Sequence, residues 1–67
     1  MRKLAENIRA LRKAKNINQS ALAEAVFTTI KTISHWETGY TEPSVNQLIL
    51  LADYFDISID ELVGREN

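Results

Sequence analysis

The one histidine of the 67-residue chain, His35, stands two residues before Glu37, and a His-x-Glu pair invites a metal or acid–base reading. On a helix, however, positions two apart point about 200° away from each other, so the two side chains cannot close on one ion. Ser20 and Ser34 lack a histidine base with an orienting acid at helical spacing, which leaves nucleophilic catalysis without machinery. No cysteine is present, so disulfides, thiolate zinc sites and iron–sulfur clusters are excluded. The reading is of a protein that is not an enzyme, with no metal and no cofactor. A different chemistry is offered by Ile30, Lys31, Ser34 and His35, which share the outer surface of a helix if Ile33 and Trp36 face inward. Lys31 suits the O6 and N7 acceptors of guanine, and His35 can donate to guanine or to a phosphate. The methyl groups of Ile30 and Thr32 suit the methyl of thymine.

These side chains need a scaffold, and the spacing of apolar residues predicts one that is all-helical. Two Gly and one Pro are too few for a turn-rich β fold, and apolar positions recur at helical intervals. The first helix runs from about Arg2 to Lys15, with Leu4, Ile8, Leu11 and Lys15 at steps of four, three and four. Asn16-Ile17-Asn18 interrupts it, and Asn18 is a good N-cap because its side-chain oxygen can accept from the backbone of the next turn. A short second helix then covers Gln19 to Val26 with Leu22, Ala23 and Val26 inward. Thr29 caps a third, Ile30 to about Thr38, which buries Ile33 and Trp36 as core anchors and ends where Gly39 can turn left-handed. Two capping boxes, Ser44-Val45-Asn46-Gln47 and Ser58-Ile59-Asp60-Glu61, open the last two helices. These are Val45 to Phe55, with Val45, Leu48, Ile49, Ala52 and Phe55 on one face and Leu51 beside it, and Ile59 to Val63.

Charge is divided along this scaffold. The net charge is −1, yet the chain through Lys31 holds seven basic residues against two acidic, +5, and from Thr32 onward one basic against seven acidic, −6. A dipolar domain can still offer a basic face to a polyanion. The acidic Asp53, Asp56, Asp60 and Glu61 read as solvated surface away from it. The aliphatic run Leu48 to Ala52 is far short of the roughly 20 residues of a membrane span. Met1-Arg2-Lys3 leads into an amphipathic stretch, unlike a signal peptide. The expectation is a single cytoplasmic domain over residues 1–67, without membrane contact and with no small-molecule effector evident. So small a core is marginal alone, which favours self-association.

Two short helices joined by about three residues, the second exposing polar side chains near its start, have the layout of a helix-turn-helix. The stretches Asn18-Gln19-Ser20-Ala21-Leu22-Ala23-Glu24, Thr32-Ile33-Ser34-His35-Trp36-Glu37-Thr38-Gly39, Glu42-Pro43-Ser44 and Leu51 to Leu62 carry a closer likeness. In order and spacing the chain from about Leu4 to Val63 resembles the phage-repressor (Cro-like, xenobiotic-response-element) helix-turn-helix family of bacterial and phage regulators. The resemblance implies a compact five-helix, lambda-repressor-like DNA-binding domain. It implies that Ile30, Lys31, Ser34 and His35 face bases, and that Asn18, Gln19, Thr29, Thr32, Thr38 and Tyr40 contact phosphates. It also implies that Arg12 and Glu37 form a structural pair joining the first helix to the end of the third, with Arg12 able to share a donor with the DNA backbone.

Two positions depart from the family pattern. Phe27 stands where glycine is usual in the turn; either the turn is a variant, or packing of the ring offsets a strain of roughly 1 to 3 kcal/mol. Ile30 occupies a position commonly filled by Gln or Arg, and either reads thymine or lines the groove wall. The expected partner is double-stranded DNA, bound through the major groove at a palindromic operator by a homodimer, since one helix contacts few base pairs. Ile57, Ile59, Leu62 and Val63 are the expected dimer contact, because short C-terminal apolar residues have little other use. The result would be transcriptional regulation, as a repressor that occludes a promoter. The competing reading is a protein-interaction module, such as an antitoxin or anti-repressor, supported by Phe27, Ile30 and the low net charge.

Overall fold

In the computed structural model, which describes residues 2–64, the chain forms five helices: α1 (Arg2–Ala14), α2 (Gln19–Ala25), α3 (Ile30–Thr38), α4 (Val45–Phe55) and α5 (Ile59–Val63). Among the described residues there is no strand, and no helix is long and apolar enough to cross a membrane. Each boundary has a local chemical cause. α1 ends just before Lys15 because Asn16 adopts φ 58, a left-handed conformation that a short amide side chain tolerates. The Asn18 side chain accepts from the Ala21 N–H at 2.8 Å, and Thr29 Oγ1 accepts from the Thr32 N–H at 3.2 Å. Both predicted capping boxes are closed in both directions. Gly39 ends α3 at φ 78, a backbone angle costly for residues with a Cβ.

These helices meet around one apolar centre. α1 packs on α3 and α5, α2 on α3, and α4 on α5. The buried cluster comprises Leu4, Ile8, Leu22, Ala23, Val26, Ile33, Trp36, Leu51, Ala52 and Leu62, and each large member contributes about 1.5 to 3 kcal/mol through removal from water. Trp36 is buried, as the core-anchor reading requires. Lys15, which fell on the expected apolar stripe of α1, instead lies exposed with Nζ 5.1 Å from the centre of the Tyr54 ring.

The structure corrects two expectations in the C-terminal half. α4 turns Leu51 and Ala52 into the core and leaves Val45 71% and Ile49 42% exposed, so its inward face is rotated from the one predicted. α4 is apolar on several sides, and packing against α5 selects the buried face where periodicity does not. Leu62 is wholly buried, which removes it from any dimer surface. Its backbone carbonyl accepts from Asn7 Nδ2 at 3.0 Å, and the Glu61 carbonyl from the same nitrogen at 3.4 Å. Asn7 thereby satisfies carbonyls that a helix end leaves without partners. Leu62 and Asn7 together dock this five-residue helix on α1. Ile57 and Val63 pack half-buried against the core, and Ile59 remains the exposed apolar side chain of that group.

Candidate nucleic-acid interface

α3 is held at its C-terminal end by a clamp of three side chains from three helices. Glu37 is nearly enclosed, its side chain 3% exposed against 12% for Arg12. Arg12 Nε donates to Glu37 Oε2 at 2.6 Å and Nη2 donates to Oε1 at 3.1 Å, the side-on fork that suits a carboxylate. Arg12 Nη1 donates to the Ile17 carbonyl at 2.9 Å, and Gln19 Nε2 donates to Glu37 Oε1 at 3.1 Å. The hydrogen bond to Glu37 raises the guanidinium above its ordinary pKa against the opposing effect of burial, so Arg12 stays charged. One carboxylate therefore ties α1, the start of α2 and the end of α3 into a fixed relation.

The clamp does not use every donor of Arg12 and Gln19. A guanidinium has five N–H groups; three are engaged here, so one on each Nη of Arg12 remains. Gln19 Nε2 likewise retains one. These donors border a groove of about 240 Å³ lined by Arg9, Arg12, Gln19, Glu37 and Thr38. Glu37 is already neutralised, so the groove is suited to a small anion. The sequence does not single out Arg9; its position three residues before Arg12, on the same side of α1, is the signal available.

Of the four residues expected on the outer face of α3, Ile30 and Lys31 are exposed and Ser34 and His35 half-buried. The backbone N–H groups of Ile30 and Lys31 have no intrahelical partner, as at any helix start, and carry partial positive charge outward. The His35 ring stacks edge-on against Tyr40, centroids 4.8 Å apart at 62°, while Glu37 is committed to Arg12 and Gln19. His35 and Glu37 thus belong to different surroundings.

The hydroxyls expected at phosphates differ in what they can still give. A phosphate oxygen accepts, so each contact needs a donor. Thr29 Oγ1 and Thr32 Oγ1 lie 2.9 Å apart, and one hydroxyl proton is spent between them, leaving one for an outside acceptor. Thr38 Oγ1 donates to the Ser34 and His35 carbonyls at 3.0 and 3.2 Å, so it reaches an anion only after rotating. Asn18 uses its oxygen as the cap and keeps its NH2 group. Tyr40 is 77% exposed, with its hydroxyl at liberty to donate.

Neither alternative for the α2–α3 turn holds. Phe27 has φ 59, so the turn keeps the left-handed conformation, and its ring is 84% exposed, so packing does not offset the strain.

Comparison with known proteins places this geometry. Residues 8–62 match a family model described as helix-turn-helix. The chain is 39% identical to the HTH-type transcriptional regulator AnsR of Bacillus subtilis, over 91% of this chain and 53% of that protein. A transcriptional regulator from Listeria innocua superposes with a TM-score of 0.90 at 38% identity, covering 96% of this chain and 60% of the other. The c2 repressor of phage P22, solved with a synthetic operator, superposes with a TM-score of 0.86 at 37% identity, covering 92% and 94%. The chain spans about half the length, or less, of the curated relatives it matches. Architecture, matched model and relatives agree that the chain belongs to the helix-turn-helix family of the phage-repressor, Cro-like type.

Proposed function

We propose that this domain binds double-stranded DNA as a transcriptional regulator, with α3 in the major groove and the donors of Arg12, Gln19 and Asn18 on the adjoining phosphates. The observation that carries the reading is the Arg12–Glu37–Gln19 clamp, which fixes α3 while keeping outward donors beside its exposed face. Lys31 and His35 supply hydrogen bonds to base edges, Ser34 a short polar contact, and Ile30 an apolar one to thymine. Thr29 or Thr32, Tyr40 and, after rotation, Thr38 add phosphate contacts. Helix N-termini bind phosphates without a cation at every contact, so the net charge of −1 is compatible with binding but keeps its salt dependence shallow.

Two copies would act on a two-fold symmetric operator. Half-sites one helical turn apart are separated by about 34 Å, and the Cα trace of one copy measures 32 × 23 × 21 Å. With side chains added, neighbouring copies on one face of the duplex come within contact distance. Ile59, supported by Ile57 and Val63, supplies the apolar surface for that contact; Leu62 does not. Occlusion of a promoter is then the simplest mode of regulation. Selection of bound sequences from a random DNA pool tests the reading. The expected product is a palindrome with a guanine at the Lys31 contact. Recovery of no sequence above background would overturn DNA binding and favour a protein-interaction module.

A further inference from the structure

Outside glycine, Asn16, Phe27 and Asp56 have positive φ among the described residues. Asn and Asp are the types that tolerate this conformation, whereas a bulky aromatic does not. Phe27 also gains nothing inside the molecule. Its ring is 84% exposed, and the ring pairs that form, His35 with Tyr40 and Tyr54 with Phe55, do not include it. The turn is held by backbone bonds that any residue could make, Phe27 N–H to the Glu24 carbonyl at 3.3 Å and Thr28 N–H to the Ala23 carbonyl at 2.8 Å. Glycine would meet the same backbone angles without strain and without an exposed ring. Strain that the fold does not repay concentrates at functional surfaces.

The location points to the surface concerned. Phe27 stands three residues before Ile30, the 51% exposed residue that opens α3, and Lys31 follows with its cation. We infer that Phe27 is a specificity-determining residue, whose ring extends the apolar edge begun by Ile30 and packs on DNA at the base pairs bordering the Ile30 contact. An aromatic ring cannot pair with phosphate, so its targets are deoxyribose faces and thymine methyl groups. The duplex that covers Ile30 and Lys31 is the occupant that also covers this ring. This inference rests on the DNA-binding reading above and adds a residue to it.

Phe27→Gly and Phe27→Leu separate the roles. Sequence selection and anisotropy titration on the selected operator are run for both variants and the unaltered protein, with thermal unfolding alongside. The glycine variant is expected to melt about 4 °C or more higher, as strain is released. It should bind about tenfold more weakly, and lose base preference beside the Ile30 contact while keeping the rest of the operator. The leucine variant keeps strain and an apolar side chain, so it should melt like the parent and lose less affinity. A glycine variant with unchanged affinity and unchanged selected sequence would overturn the role of Phe27 and leave DNA binding standing. Failure of the unaltered protein to select any DNA would overturn both.

Discussion

The two ends of α3 are built on opposite terms. The C-terminal end is fastened by buried Trp36, by the Glu37 carboxylate shared between Arg12 and Gln19, and by Gly39 in a conformation that suits it. The N-terminal end carries a strained and exposed Phe27, an exposed Ile30 and Lys31, and one threonine cap. One end holds the helix at a fixed angle, and the other is released from the core with its side chains exposed.

Substitutions at the fastened end should therefore cost folding. Trp36→Ala is expected to lose about 4 kcal/mol, most of the stability that a domain of this size has, and urea unfolding should find it largely denatured. Glu37→Ala leaves the Arg12 charge partly buried without its partner, for a loss of about 3 kcal/mol. The same titration reads it, and an unaltered midpoint would show that the clamp is incidental. At the released end the scale falls. Thr29→Ala removes the cap for a loss of about 1 kcal/mol. Lys31→Ala should stay within about 0.5 kcal/mol of the parent, which a superimposable melting curve would show. If the released end proved as costly as the fastened one, the contrast would fail.

Much of this contrast could be read from residue order, because its causes are local. Asn18, Thr29, Ser44 and Ser58 announce helix starts through side chains that reach two or three residues ahead, and the structure places all four as N-caps. Inward Ile33 and Trp36 follow from their spacing, which in turn places Lys31 and His35 outside. The misreadings occurred where distant contacts decide. The inward face of α4 was illegible because Val45, Leu48, Ile49, Leu51, Ala52 and Phe55 surround much of the helix, and its packing on α5 makes the choice. Leu62 looked spare in a helix of five residues too short to show a period; its burial depends on α1, more than fifty residues earlier in the chain. The pairing of Arg12 with Glu37 was suggested by family likeness alone, since nothing in the spacing of two residues 25 apart foretells contact. The donors left over from that pairing, and the groove that includes Arg9, depend on how three helices meet and have no local signal in the chain.

Salt-dependent titration of the selected operator, for the unaltered protein and for Lys31→Ala, tests most directly the claim that the outer face of α3 reads DNA. A linear, shallow fall of log affinity with log salt is expected for the parent. Lys31→Ala should bind about tenfold more weakly and discriminate less at its guanine, a loss of about 1 to 3 kcal/mol at a base-reading contact. Equal affinity and equal base preference for the two proteins, or no salt-dependent binding by either, would contradict it.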